Sequence, residues 1–295
     1  MKIHTLDLHF QGCPGVIASY LIESEGSLAL IETGPGSTLP TLLEEIRKCG
    51  FDPAAVKKVF VTHIHLDHAG AAGWWAQQGA EIFVHARGAP HLIDPAKLIE
   101  SAQRIYGDRM DTLWGPMLAA PAERVKVLGD GDKVRIGKAE IIALDTPGHA
   151  RHHLAFVVGT SCFTGDVAGM RLRGSSYISV TAAPPQFDPV AYSESLARLE
   201  SLHFSSLYLT HFGEIQDVSK HLASYALRME QVHEKVADWT AQGRHEEAIR
   251  NLFTESEHAT AMEDRVSQVD WDRYELANPT SMCADGISLF VKKNR

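Results

Sequence analysis

One stretch, Thr62-His63-Ile64-His65-Leu66-Asp67-His68, constrains this chain more than any other part of it. It follows the apolar run Val59-Phe60-Val61, which reads as the end of a buried strand. On an extended strand end, residues two apart point the same way, so His63 and His65 present their imidazoles together. Asp67 and His68 are expected in a turn, before a small-residue segment from Ala69 to Gly73 that can start a helix. Histidine is the commonest metal ligand and carboxylate is its anionic complement, so the set reads as a metal nest. A solvated loop would not need all four residues at this spacing.

The surroundings are those of a soluble globular chain. At 295 residues, with 44% hydrophobic and 22% charged residues, it can bury a substantial core. No apolar run approaches the length of about 20 residues that spans a bilayer, so no membrane is expected. The first residues carry no signal-peptide pattern, which makes a cytoplasmic location the expectation. A net charge of -9 and the lack of a Lys/Arg-rich stripe argue against nucleic acid. Cys13, Cys49, Cys162 and Cys283 form no C-x-x-C pair and read as reduced thiols.

Taken in order, the pattern is α/β. Strands are expected at Ile3 to Phe10, and a hairpin from Val16 to Ile31 ends at Glu32-Thr33-Gly34. A helix from Thr41 to Gly50 precedes the strand Val56 to Val61, which delivers the histidines to its C-terminal end. A helix at 69–79 and a strand at Glu81 to His85 continue this alternation. Residues 88–122 lack a strand pattern and read either as surface helices or as a lid over a pocket. Strands return at Val125 to Val134, Ala139 to Leu144, Leu154 to Val158 and Ser161 to Thr164. A helix from Pro189 to His203 leads to a strand that ends at His211. From Asp217 onward the spacing is helical, with a further helix at 244–253, and Ile287 to Val291 reads as an edge strand.

The motif His63-x-His65-x-Asp67-His68 resembles the metal-binding signature of the metallo-β-lactamase-fold hydrolases. The later elements of that family follow in order: Thr146-Pro147-Gly148-His149, Thr164-Gly165-Asp166 with its bridging aspartate, and His211 at the last-ligand position. The resemblance covers roughly residues 15 to 215. It implies an αββα sandwich over 1–215, with 88–122 as a lid insertion and 216–295 as a helical extension. It also implies a ligand set of His63, His65 and His149 for one ion, Asp67, His68 and His211 for the other, and Asp166 between them. Where the family usually carries aspartate, this chain has Glu32, expected to support the ligands from behind. Where the family often repeats Pro-Gly-His, this chain has Arg151-His152-His153. His153 is expected either behind the ligands or in the core, and His152 and Arg151 in solvent.

Two divalent cations are implied, zinc first, with iron or manganese compatible with the same donors. The chemistry implied is hydrolysis of a small carbonyl substrate (an ester, thioester or lactone) by a hydroxide bridging the metals. Asp67 would orient that hydroxide, and Tyr177 and Tyr208 are candidates to assist the oxyanion. Arg171 and Arg173, just after Asp166, could meet a substrate carboxylate. Within the family, authentic zinc β-lactamases generally lack an aspartate at the position of Asp166. Iron flavoprotein members have glutamate in place of His65, and nuclease members carry a large extra domain. The pattern most resembles glyoxalase II-like thioesterases and lactonases, although the tail lacks the basic glutathione-binding cluster. A mononuclear iron sulfur dioxygenase, or a β-lactam or phosphodiester hydrolase, is the alternative. The expected partner is a small-molecule substrate, and a homodimer is compatible with the sequence.

Overall fold

The computed structural model describes residues 1–294. Its first half runs β1 (Lys2–Asp7), β2 (Ala18–Ser24), β3 (Ser27–Ile31), α1 (Leu39–Lys48), β4 (Val56–Phe60), α2 (Leu66–Ala69), α3 (Ala72–Gln77) and β5 (Glu81–His85). Three helices, α4 (Ala89–Ile93), α5 (Ala96–Tyr106) and α6 (Met110–Trp114), then precede β6 (Val125–Leu128). The second half runs β7 (Lys133–Ile136), β8 (Ala139–Asp145), β9 (Leu154–Val158), β10 (Ser161–Gly165), α7 (Pro189–Ser201), β11 (Ser206–Leu209) and β12 (Gly213–Ile215). It closes with α8 (Val218–Ala241), α9 (Glu246–Glu263), α10 (Gln268–Ala277) and α11 (Thr280–Lys293).

Two sheets of six strands result, ordered β1-β2-β3-β4-β5-β6 and β12-β11-β10-β9-β8-β7. Alternation along each strand divides its residues between two apolar layers. On β3, Leu28 and Leu30 join the layer beneath α1, α3 and the 88–122 helices, while Ala29 and Ile31 face the opposite sheet. On β11, Leu207 and Leu209 meet α7, α8, α9 and α11, while Tyr208 points into the layer between the sheets. Both faces of both sheets are therefore covered, which explains the near-continuous apolar runs of the central strands. The order helix, sheet, sheet, helix is an αββα sandwich with additional C-terminal helices.

Several elements differ from their sequence reading. Ile287 to Val291 is not an edge strand. Cys283, Ile287 and Val291 lie four residues apart along one buried stripe of α11. The helix expected at 244–253 extends over the whole of α9. Asp67 and His68 lie in the first turn of α2 rather than in a free turn, with His65 at its N-cap position. Residues 69–79 are divided between α2 and α3. Strand β1 stops at Asp7, whose carboxylate accepts from the backbone N–H groups of His9 and Gly15 and turns the chain.

Candidate metal centre

The site lies at the C-terminal ends of the central strands, where β4 and β8 release the chain into loops. Beyond β4, Thr62 ties the two sheets together, its carbonyl accepting from Leu154 N at 2.7 Å. His63, His65 and, within α2, Asp67 and His68 follow at once. From the other sheet come His149 after β8, Asp166 after β10 and His211 after β11. Gly165 makes the approach of Asp166 possible. Its φ is +52°, and a Cβ there would sit 2.5 Å from Thr62 Oγ1 and 2.7 Å from His153 Nε2.

The seven residues expected as donors come together. His65 Nδ1 lies 2.9 Å from both His63 Nε2 and His149 Nε2. On the other side, Asp67 Oδ2 lies 3.3 Å from His211 Nε2 and 3.5 Å from His68 Nε2. Asp166 stands between the two groups. Its Oδ2 is 3.3 Å from His149 Nε2, and its Oδ1 is 3.2 Å from His68 Nε2 and 3.5 Å from His211 Nε2.

A layer behind these donors sets their orientation. His149 Nδ1 lies 3.1 Å from the Thr181 carbonyl and His211 Nδ1 lies 3.0 Å from the Val16 carbonyl. An Nδ1–H that donates to a carbonyl leaves the Nε2 lone pair facing the centre. His68 Nδ1 is 3.1 Å from Glu32 Oε1, and Glu32 also accepts from Thr62 Oγ1. Glu32 is fully buried at a φ of 63°, so its carboxylate supports His68 from behind, as the resemblance implied for this position. His153 accepts from Asp166 N at 3.2 Å and pairs with Thr146 Oγ1 at 2.9 Å. The carbonyl of Asp166 in turn accepts from the hydroxyls of Thr181 and Tyr192.

The electrostatics suit a cation. Burial, reinforced by neighbouring imidazoles, pushes the pKa values of His63 and His65 well below the ordinary histidine value. Burial also lowers His149. Burial opposes protonation of His68 as well, but Asp166, Asp67 and Glu32 outweigh it and raise its pKa. For Asp67, burial favours the neutral acid, yet His68 and the hydrogen bond to His211 hold the carboxyl down at about 2. Asp166 is likewise pulled well below the carboxylate range by His68 and His149 against the effect of burial. His68 Nε2 and Asp166 Oδ1 are buried and meet without a hydrogen bond of acceptable geometry. Neutral imidazoles, ionised carboxylates and two unsatisfied donor atoms at one point are a set that a divalent cation completes. All the donors are N or O, which fits zinc, iron or manganese alike.

The donors floor a cavity of about 300 Å³. Leu98, Ala102 and Ile105 of α5 form one wall, and Pro184 and Met282 form the other. The 88–122 helices and the α10–α11 junction are thus pocket walls.

Tyr177 and Tyr208 are not in this cavity. Tyr177 is buried against α9, its hydroxyl donating to Glu257 Oε2 at 3.0 Å. Tyr208 lies between the sheets with Tyr20 and Phe163, its pKa pushed up to about 12, first by burial and then by Glu214. The tyrosine that does line the cavity is Tyr106, whose pKa is raised by burial and then by Asp67. Arg171 is held by Asp217 at 3.0 Å, and Arg173 stacks on Phe212 at 4.9 Å, so neither lines the cavity. His152 was expected in solvent but is only 4% exposed and lines the cavity, as does His91. Doubled His152-His153 was the one local signal for it, and Tyr106 and His91 had none.

Comparison with known proteins agrees with this geometry. A metallo-beta-lactamase fold-containing protein of Sulfurisphaera tokodaii is 30% identical over 159 residues, 52% of this chain and 60% of that protein. An atrochrysone carboxyl ACP thioesterase of Aspergillus fumigatus is 26% identical over 207 residues, 69% of this chain and 39% of that protein. The chain thus spans three fifths or less of these curated relatives. The crystal structure of a metallo-beta-lactamase family protein from Thermus thermophilus superposes with a TM-score of 0.64 at 19% identity. It covers 99% of this chain and 93% of its own. A sequence model of the metallo-beta-lactamase superfamily matches residues 14–211, a span that holds all seven converging donors, and the chain belongs to that superfamily.

Proposed function

We propose that the chain is a hydrolase of acyl compounds (esters, thioesters or lactones) that works with two divalent cations, zinc before iron or manganese. The observation that carries this reading is the convergence of two donor groups on one carboxylate, Asp166, at the floor of an apolar cavity. His63, His65 and His149 would hold one cation, and Asp67, His68 and His211 the other. A single-iron oxidoreductase needs only one such group, so the second group favours the pair. The thioesterase among the relatives supports acyl chemistry rather than phosphodiester cleavage.

Bound cations would polarise a carbonyl and lower the pKa of water from 15.7 to about 7. The chain's own residues do the remainder. The Asp67 carboxylate, ionised at neutral pH, accepts a hydrogen bond from water and aligns it. Thr181, Val16 and Glu32 fix the imidazole orientations, so the geometry is set before substrate arrives. The cavity walls exclude bulk water and hold the acyl chain. In the reaction, water adds to the acyl carbon, the bond to sulfur or oxygen breaks, and acid and thiol or alcohol are released.

The test combines metal analysis with turnover on a thioester, a γ-lactone, an aryl ester, a β-lactam and a phosphodiester. About two cations per chain and a clear preference for one acyl class are expected. Asp166→Ala should lower kcat/KM by at least about 100-fold, in keeping with the several kcal/mol such sites supply. A protein that binds two cations and turns over no acyl substrate would sink the proposal.

A further inference from the structure

His152 stands three residues beyond His149, where the family that the motif resembles often has glycine. The chain has set an imidazole there and buried it, at 4% exposure, against the donor floor. The ring lies 5.9 Å from the His65 ring at 90° and 6.2 Å from the His63 ring at 18°. Its Nδ1 has no hydrogen-bond partner. Among the described residues, neither ring nitrogen meets a polar group outside its own residue. Leaving a buried polar group unpaired costs about 1–3 kcal/mol, whereas an apolar side chain of the same shape would avoid that cost. A packing role therefore does not account for a histidine here. The ring lines the cavity, so a partner must come from the cavity.

That partner's chemistry is limited. A neutral imidazole has one N–H and one lone pair, and the walls around it offer no charge to recognise an ion. The exposed amine of Lys97 lines the same cavity and carries no ion pair among the described residues, but it stands on α5 in the opposite wall. A carbonyl reacting above His65, His149 and Asp166 brings the next few atoms of its acyl chain beneath the His152 ring. Hydrogen-bond reach from that ring, about 2.9 Å, selects an oxygen two or three bonds beyond the carbonyl carbon. Farther along, Leu98, Ala102, Ile105 and Met282 require apolar atoms.

Resting on the acyl-hydrolase reading above, we propose that His152 is a specificity-determining residue. Its ring N–H donates to an oxygen on the β-carbon of the acyl group, so the preferred substrates are 3-hydroxyacyl or 3-oxoacyl compounds with an apolar chain.

The experiment compares 3-hydroxyoctanoyl and octanoyl thioesters of N-acetylcysteamine with the metal-loaded protein, His152→Phe and His152→Asn. The readout is the ratio of kcat/KM for the two substrates rather than either rate. Wild type should favour the hydroxylated substrate by roughly 5- to 10-fold, the yield of one neutral hydrogen bond in a dry site. His152→Phe should bring the ratio to about one, and His152→Asn, which keeps an N–H, should retain part of it. A wild-type ratio near one, or an unchanged ratio in His152→Phe, overturns the proposal. If the loaded wild type cleaves neither thioester, the acyl-hydrolase reading fails instead. Binding of 3-hydroxyoctanoate and octanoate, measured by calorimetry on the wild type, then decides the role of His152 alone. Tighter binding of the hydroxy acid supports it, and equal binding overturns it.

Discussion

At the scale of single residues, the donors were readable because ligation imposes local rules. Two histidines two apart on a strand end, a carboxylate in the next turn and a histidine after Pro-Gly are positions that backbone geometry alone brings near one centre. The assisting tyrosines were not readable, for the same reason turned around. Tyr208 is three residues before His211, and strand alternation sends it to the inter-sheet layer rather than to the site. Tyr106 reaches the cavity from a segment with no strand pattern, so nothing local marked it. Glu32 gives the prediction proper to this scale. Its carboxylate accepts from Thr62 and orients His68, and an amide would turn one of those acceptors into a donor. Glu32→Gln should weaken cation binding roughly 10- to 100-fold, the usual effect of disturbing a ligand's support. Competition titration against a chelating dye would measure this, and an unchanged affinity would show that His68 needs no such support.

Elements were read with less success wherever two periods fit one sequence. Gly286-Ile287-Ser288-Leu289-Phe290-Val291 has the composition of a strand, but its buried positions recur at helical spacing with Cys283. Burial against α8 and α9, which only the fold supplies, decides between them. Gly286 is the contact that seats this helix. A Cβ there would lie 1.8 Å from the Ala182 carbonyl oxygen, on the loop that carries Thr181 and Pro184 to the site. Helix propensity alone predicts that Gly286→Ala stabilises the protein by about 1 kcal/mol. Backbone contact reverses the sign, and a loss of about 1–3 kcal/mol is expected. Urea denaturation would settle it, and a gain in stability would mean that α11 is free to move away from the loop. The 88–122 segment shows the same limit, since its three short helices have no strong period and take their places by covering the first sheet and the cavity.

In the molecule as a whole, the site joins two halves. His63, His65, Asp67 and His68 come from the first sheet, and His149, Asp166 and His211 from the second. A cation shared between them binds the folded chain and not the unfolded one, so it adds stability by mass action. With free metal at 100 times its Kd the gain is about 2.7 kcal/mol, or roughly 5–10 °C in Tm for a chain near this size. Calorimetry with and without a chelator should show that shift in wild type and a much smaller one in Asp166→Ala. Equal midpoints for chelated and metal-loaded wild type would mean that the cluster holds no cation tightly.

From its amino acids alone this chain determined its layer architecture, the strand ends at which chemistry is placed, and the seven donors, because alternation, turns and ligand spacing act within a few residues. Tertiary structure alone decided which tyrosine and which extra histidine reach the cavity, whether the last apolar run is helix or strand, and what walls the substrate meets. Those outcomes depend on which side chains become neighbours across long stretches of chain, as Tyr177 and Tyr274 or Gly286 and Ala182 do. No local period records such neighbours. Packing selects them only when the two sheets and their covering helices close together.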